Sequence, residues 1–365
     1  MSWSPQQEAA IKAVKAWLRD PSSQVFYLAG YAGTGKTTLA KTLAKDVRGQ
    51  VLFGAFTGKA SLVLQRKGCS GASTIHSMIY VVDDDVRGWE PKFRLNHASE
   101  VRDAKLVVID ECSMVGEELG RDLLSFGTKV LVLGDPAQLP PVKDAGFFTK
   151  RKPDVMLTEV HRQAAENPII AMSMTIREGG RLAKGTYGDS SVISRADVDP
   201  GMILNADQVL VGLNRTRQAY NNRIRALLGH DRPTPVEGDK LVCLRNNRAK
   251  RLLNGGLWQV DSIDEVKPSG VRMLVRSDDR IEQKPTEVFV RHEFFDGRDE
   301  ALTWDQRQHT DEFTYGYALT THKSQGSQWD NVIVFDESAA FREDRARWLY
   351  TAVTRAAEKV TVVAA

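Results

Sequence analysis

The stretch that decides the fold is GYAGTGKT, residues 30–37. It meets the pattern G-x-x-x-x-G-K-[ST] at every position. Its flanks are those the pattern requires: strand-like VFYLA ahead of it and helix-like TLAKTLAKDV behind. The glycines, Gly33 and Gly35 among them, let the backbone curl so that its N–H groups converge on phosphate oxygens. The helix N-terminus that follows adds a favourable dipole. In this reading Lys36 reaches the β- and γ-phosphates, Thr37 places its hydroxyl on Mg²⁺, and Thr38 beside it completes the phosphate contacts. A glycine-rich turn with a chance lysine is the bland alternative, and the flanking strand and helix make it the weaker one. The motif speaks for a bound nucleotide, not for what its hydrolysis drives.

Working outward, residues 5–19 read as an amphipathic helix, with Ala9, Ala10, Ala13, Val14, Trp17 and Leu18 at helical spacing. Short apolar runs then recur: VFYLAG (25–30), VLFGAF (51–56), KLVVID (105–110) and KVLVLGD (129–135). Each is followed by turn residues and a helix-like stretch, the signature of a parallel, doubly wound sheet. Such sheets bind ligands at the carboxyl ends of their strands. A second series appears at QVLVGLN (208–214) and NVIVFDE (331–337). Between them KLVCLRNN, GLWQVDSID, VRMLVRSDD and TEVFVRHEF read as a small antiparallel β module. The segment IYVVDDDVRGWEPKFRLNH (79–97) reads as a hairpin inserted into the first series.

Composition bounds the rest. A chain of 365 residues holds two ordinary domains with small insertions. With 50 Lys+Arg against 47 Asp+Glu, the net charge of +3 does not by itself argue for a nucleic-acid partner. The three cysteines, Cys69, Cys112 and Cys243, are far apart and read as reduced thiols of a cytoplasmic protein. No apolar run approaches the ~18 residues needed to span a membrane, and no signal peptide is visible at the N-terminus.

VVIDECSM (107–114) ends a buried strand on adjacent carboxylates. Asp110 is placed to hold Mg²⁺ and Glu111 to orient and deprotonate an attacking water. Acids at a helix start are the alternative, and the phosphate loop some seventy residues earlier tips the balance to catalysis. LVLGDPAQLPPV (131–142) puts Gln138 where an amide can sense the γ-phosphate or the attacking water.

Taken together, these motifs resemble superfamily 1 helicases of the RecD/Dda type, which move 5′→3′ on single-stranded DNA. SPQQEAA (4–10) is similar to the Q-type motif, with Gln7 reading adenine. GYAGTGKT is motif I. FTGKAS (56–61) and TIHSM (74–78) resemble motifs Ia and Ib. DECS (110–113) resembles motif II, GDPAQLPPV motif III, LTEVHRQ with NPII (157–170) motif IV, TTHKSQGSQWDNVIV (320–334) motif V and LYTAVTRA (349–356) motif VI. Single matches of this length are weak; this many in the right order are specific. Phe56 departs from the proline common before TGKA.

The resemblance implies two RecA-like parallel-sheet domains with ATP as substrate and Mg²⁺ as cofactor. Domain 1A is expected over 1–150, with the 79–97 hairpin (1B) inside it. Domain 2A is expected over 151–232 and 309–365, with an SH3-like β-barrel insertion (2B) over 233–308. Arg162 and Arg355 match the motif IV and VI arginines that stabilise the transferring phosphoryl group, and Gln325 completes the γ-phosphate contacts. Thr57, Lys59, Thr74, His76, Thr321, His322 and Lys323 match positions along the DNA path, which hold a strand without reading its sequence. Trp89 or Phe93 in the hairpin is placed to act as a duplex-splitting pin, or simply to pack down. RNNRAKR (245–251) offers either a contact surface or a solvated edge. The expected partners are single-stranded DNA and single/double-strand junctions, with single-strand-binding or replication proteins beside them. The compact length leads to the expectation of a stand-alone or phage-like enzyme. The rivals are an RNA helicase, against which HKSQGS argues, a non-motor scaffold, and a nuclease subunit.

Overall fold

The computed structural model describes residues 3–82, 93–140, 146–159, 167–247, 249–279 and 283–364. Two of the expected site residues, Trp89 and Arg162, fall outside them. The chain forms two compact units. The first is Met1–Arg181 with Ala346–Thr354, and the second is Leu182–Arg345 with Arg355–Ala365.

The first unit runs α1 (Pro5–Arg19), β1 (Val25–Gly30), α2 (Lys36–Lys45), β2 (Val51–Ala55), α3 (Gly58–Arg66), β3 (Ser73–Thr74), α4 (Ile75–Ile79), β4 (Tyr80–Val82) and β5 (Phe93–Leu95). It continues with β6 (Leu106–Asp110), α5 (Glu117–Leu124), β7 (Val130–Gly134), β8 (Val155–Leu157) and α6 (Pro168–Arg177). Helix α1 starts where its sequence says it should. Ser4 and Gln7 form a capping box, Pro5 takes the first turn, and Gln7, Ala10, Val14 and Trp17 form the buried stripe. Ala9 faces solvent.

Six parallel strands build the first sheet in the order β3-β2-β6-β7-β1-β8. Strands β1, β6 and β7 are apolar along both faces because helices cover both, as parallel sheets require. Leu28, Leu106, Val108, Leu131 and Leu133 pack with Val14, Trp17, Leu39 and Leu43 on one side. Tyr27, Val107, Ile109 and Val132 pack with Ile75, Leu119 and Leu123 on the other. Each such side chain contributes about 1.5–3 kcal/mol. The carboxyl ends of β1, β2, β6 and β7 are Gly30, Ala55, Asp110 and Gly134. Strand β8 pairs with β1, so the first sheet extends past residue 150, where the first domain was expected to end. The base of the expected hairpin is present as the antiparallel pair β4–β5.

The second unit contains β9 (Gly185–Tyr187), β10 (Ser190–Ile193), α7 (Pro200–Leu204), β11 (Gln208–Val211), α8 (Asn214–Leu227), β12 (Lys240–Cys243), β13 (Leu257–Lys267), β14 (Gly270–Ser277) and β15 (Thr286–Arg291). It continues with α9 (Glu293–Asp296), α10 (Trp304–Gln308), β16 (Phe313–Tyr315), β17 (Ala318–Thr320), β18 (Trp329–Phe335) and β19 (Ala356–Val363). Its main sheet has the order β17-β11-β18-β19-β10-β9, parallel except for the terminal β9–β10 hairpin. Most of α11 (Arg345–Val353) belongs to the first unit.

A separate antiparallel sheet, β15-β14-β13-β12-β16, closes over Leu241, Trp258, Val260, Val271, Met273, Val288, Val290 and Phe313. Its last strand, Phe313–Tyr315, lies beyond the expected end of the module at 308. A buried cluster ties the module to α8. Asp239 accepts from Arg225 Nε (3.0 Å) and Nη2 (3.0 Å), from the Tyr317 hydroxyl (2.9 Å) and from Val236 N–H (2.8 Å). The Arg225 guanidinium also stacks 4.2 Å from the Tyr315 ring centroid.

Candidate nucleotide-binding site

The site of the first unit assembles at the carboxyl edge of its sheet. After β1 the chain turns through Gly33 and Gly35, both at φ 78°, the left-handed region that glycine alone enters without strain. Gly30 is equally constrained: a Cβ there would meet Thr34 Oγ1 at 2.6 Å and Leu157 Cβ at 2.9 Å. Gly35 precedes α2, and no side chain caps that helix. Its first N–H groups therefore remain available to an anion. The Lys36 ammonium donates to the Gly30 and Tyr31 carbonyls of its own loop.

Thr37 Oγ1 donates to Asp110 Oδ2 at 3.0 Å. These are two hard oxygens in the pairing that suits Mg²⁺, which takes few protein ligands and completes its shell with water and phosphate. Among the described residues no cluster of three or more His, Cys, Asp or Glu is placed to hold a metal. Glu111 follows in the left-handed conformation, φ 52° and ψ 47°, at a cost of about 1–2 kcal/mol for a residue with a Cβ. Its N–H donates to Asp110 Oδ1 at 2.9 Å. Strain of this kind concentrates at functional sites. Behind it Cys112 is fully buried, and that burial pushes its thiol pKa upward. The thiol is a packing group.

Gln138 is buried, and its Oε1 has no hydrogen-bond partner among the described residues. A buried acceptor left unpaired costs about 1–3 kcal/mol. Gln138 Oε1 is therefore an acceptor with capacity for one more partner. The turn carrying it is fixed by Asp135, whose Oδ1 accepts from Ala137 N–H at 3.0 Å. Asp135 Oδ2 accepts from the Tyr350 hydroxyl on α11, which in turn accepts from Ala32 N–H. Thr351 Oγ1 accepts from Leu139 N–H at 2.8 Å. The Arg177 guanidinium lies 3.8 Å from the Tyr31 ring centroid. Tyr350, Thr351, Asp135 and Arg177 were not singled out from the sequence. Tyr350 and Thr351 stand inside LYTAVTRA, where the arginine drew attention away from its neighbours.

Gln7 has both ends of its amide engaged: Oε1 accepts from Ser4 N–H at 3.1 Å and Nε2 donates to Thr34 O at 3.0 Å. It locks α1 to the phosphate loop. Thr57 and Thr74 are the N-caps of α3 and α4, accepting from Ala60 and Ser77 N–H. Lys59 is buried. His76 stands between the Phe56 and Tyr80 rings, which with the surrounding protein hold its pKa below the usual value. Phe93 is 53% exposed.

In the second unit Thr321 is wholly buried, its N–H and hydroxyl both on Val211 O, so it ties the motif V segment to the end of β11. His322 packs 5.6 Å from the Phe341 ring. Lys323 Nζ donates to Asn254 Oδ1. Gln325 and Arg355 are both buried, and Arg355 Nη1 donates to Ser327 O, two residues past Gln325. In RNNRAKR, Arg245 pairs with Glu312 and Lys250 with Asp311. These two cations are neutralised within the module. Glu337 was also missed: its carboxylate accepts from Gly212 and Leu213 N–H and from the Thr216 hydroxyl, fixing the turn that leads into α8.

Residues 2–197 match the sequence family described as AAA domain. The chain belongs to that family. Residues 315–363 of this AAA-family chain match the UvrD-like helicase C-terminal domain. A curated relative, the ATP-dependent RecD2 DNA helicase of Deinococcus radiodurans, is 32% identical over 91% of this chain and 46% of the relative. The chain spans between about a third and a half of the length of the first curated relatives it matches. Among solved structures, a Pif1 helicase from work on DNA unwinding at forked dsDNA by two coordinating Pif1 helicases aligns with a TM-score of 0.62 at 18% identity. It covers 99% of this chain and 92% of that one. Bacteroides Pif1 bound to ssDNA aligns at 0.58 and 17%, with the same coverage. The AAA-family chain therefore has the fold of two RecA-like domains, as its sequence led us to expect. Among the described residues no helix is long and apolar enough to cross a membrane.

Proposed function

We propose that this chain is an ATP-driven motor that steps 5′→3′ on single-stranded DNA and unwinds duplex at single/double-strand junctions. The observation that carries the reading is the Thr37–Asp110 pair at 3.0 Å beside an uncapped helix start. The unpaired Oε1 of Gln138 is consistent with it. The track and the polarity rest on the motif order and on the relationship to RecD2.

Thr37 and Asp110 would hold Mg²⁺, which when bound neutralises charge on the phosphate oxygens. Lys36, with Gly33, Gly35 and Thr38, binds the phosphates, and Gln7 is assigned the adenine edge. Gln138 orients a water for in-line attack on the γ-phosphorus, and Glu111 accepts the proton that water loses. The bond to the β,γ-bridging oxygen breaks, leaving ADP and phosphate. Arg162, Gln325 and Arg355 are assigned the charge on the transferring group. On the strand side Thr57, Lys59, Thr74, His76, Thr321, His322 and Lys323 are assigned to the DNA path, and Trp89 or Phe93 is assigned as the pin. Single-strand-binding or replication proteins are the partners such an enzyme meets. The antiparallel module is assigned as the SH3-like insertion.

Strand displacement with ATP and Mg²⁺ on matched duplexes with a 5′ or a 3′ tail tests the proposal. Opening of only the 5′-tailed duplex is expected. Opening of only the 3′-tailed one removes the polarity, and no opening with DNA-stimulated ATPase leaves a translocase. A larger ATPase stimulation by RNA than by DNA replaces the track.

A further inference from the structure

Tyr31 is the one aromatic ring in GYAGTGKT, at a position the phosphate-loop pattern leaves open. Its backbone is fastened on both sides. The N–H donates to Leu157 O at 3.3 Å, which ties it to the end of β8. The carbonyl accepts from Thr34 N–H at 3.3 Å, from Thr34 Oγ1 at 2.8 Å and from Lys36 Nζ at 2.9 Å. One carbonyl therefore seats both the turn of the loop and its lysine.

The ring of Tyr31 is held from outside the loop. The Arg177 guanidinium lies 3.8 Å from its centroid, well inside the ~6 Å reach of a cation–π contact. Arg177 projects from a rigid base. It is the last residue of α6, on which Ile169, Met172, Ser173 and Ile176 are buried. Gly179, at φ 81°, closes that helix: its N–H donates to Ile176 O, and Gly180 N–H donates to Thr175 O. An arginine in a last turn can simply answer the helix dipole or pair on the surface. Among the described residues its ion pair is with Glu178, at 3.3 Å and with a side chain 65% exposed, a contact worth little. The Arg177 side chain is only 18% exposed. A cation withdrawn that far from water is stabilised by an electron-rich face, and the Tyr31 ring supplies one.

We propose that Arg177 is a positioning residue of the nucleotide site: it holds the Tyr31 ring, and through the Tyr31 carbonyl it sets Lys36 and the loop for the phosphates of a nucleoside di- or triphosphate. The inference rests on the reading of the loop as a nucleotide site. Arg177 itself touches no phosphate. A loop set before the nucleotide arrives loses less freedom on binding, so the benefit appears as affinity. It applies to ADP and ATP alike, because the loop cradles the phosphates they share.

The test measures Kd for a fluorescent ADP and for a fluorescent non-hydrolysable ATP analogue with the full chain, ATPase KM and kcat with single-stranded DNA present, and melting temperature. It compares wild type with Arg177→Gln, Arg177→Lys, Tyr31→Leu, the Tyr31→Leu, Arg177→Gln double variant and a charge-matched control, Arg181→Gln, at an exposed position. Arg177→Gln is expected to weaken both nucleotides equally, about 5- to 30-fold. KM should rise by the same factor while kcat stays within about 2-fold, the pattern of lost uniform binding. Arg177→Lys, which keeps a cation for the ring, should recover part of the loss. Tyr31→Leu should reproduce the loss, and the double variant should be no worse than the weaker single, because both changes remove one contact. Arg181→Gln should match wild type. Wild-type affinity in Arg177→Gln overturns the proposal, and a lowered melting temperature beside it would make Arg177 a packing group. A loss confined to the ATP analogue, or losses that add in the double variant, would put the guanidinium on the nucleotide itself and overturn the proposal equally. A wild type that binds neither nucleotide overturns the reading of the loop, and the positioning role with it.

Discussion

The Tyr350 hydroxyl donates to Asp135 Oδ2 at 2.7 Å and accepts from Ala32 N–H at 2.8 Å. One buried atom thus joins the phosphate loop to the turn that carries Gln138. Burial raises the pKa of this hydroxyl, so it stays protonated and can hold both bonds. Thr351 adds a second fastening four residues along the same segment, on Leu139 N–H.

Tyr350→Phe removes both bonds and leaves a buried carboxylate oxygen and a half-buried N–H short of a partner. The expected loss of stability is about 1–3 kcal/mol, read by urea denaturation. The ATPase kcat should fall more than KM rises, because the turn bearing Gln138 loses its register while the phosphate cradle is intact. Unchanged kcat with lowered stability would reduce Tyr350 to packing.

Asp239 is wholly buried and takes the Arg225 guanidinium through two nitrogens. Asp239→Ala leaves the guanidinium uncompensated, and breaking a buried pair in this way costs about 3–5 kcal/mol. The Arg225→Met, Asp239→Ala double variant should recover part of that loss. Denaturant midpoints of the two singles and the double give the coupling directly. Additive losses would show that the pair is not what ties α8 to the module.

The parallel architecture was legible, and the core of the candidate site could be placed, because both are local in sequence. Apolar runs such as VFYLAG and KLVVID announce two-sided burial, and the loop 30–37 and the 110–111 carboxylates sit directly at strand ends. Long-range pairings were not legible. Nothing in the spacing says that Tyr350 meets Asp135, 215 residues away, or that Glu337 holds the turn into α8. The local parts of the motif threonines were not legible either: Thr57 and Thr74 cap helices, and Thr321 is buried on Val211. These are roles set by backbone geometry, which a motif does not display. The module's closing strand at Phe313–Tyr315 escaped because three residues are too few to show a period.

His322 gives the pH prediction. Burial holds its pKa below the usual 6.5, with Asp344 opposing. The unfolded chain then binds the proton more readily than the folded one, so stability is full above about pH 6.5 and declines as pH falls toward the folded-state value. His322→Gln should flatten the fall in melting temperature between pH 7.5 and 5.5. A slope identical to wild type would assign the titration elsewhere.

Glu111 is held in the left-handed region directly after Asp110, at a position where a glycine would be free of strain. A carboxylate kept there against its backbone preference points to use in the chemistry. Glu111→Gln keeps shape and hydrogen-bonding atoms but cannot accept the proton of the attacking water. General-base loss lowers rates about 10²–10⁴-fold, so DNA-stimulated ATPase should fall by that order. Binding of a fluorescent nucleotide analogue should stay within a few-fold of wild type, because Lys36 and the loop are untouched. Strand displacement must then vanish with hydrolysis. Retained unwinding would separate the motor from this site, and near-normal ATPase would move the base to another residue. Glu111→Gly supplies the contrast: it relieves the backbone strain while removing the carboxylate. It should therefore raise thermal stability and abolish turnover together.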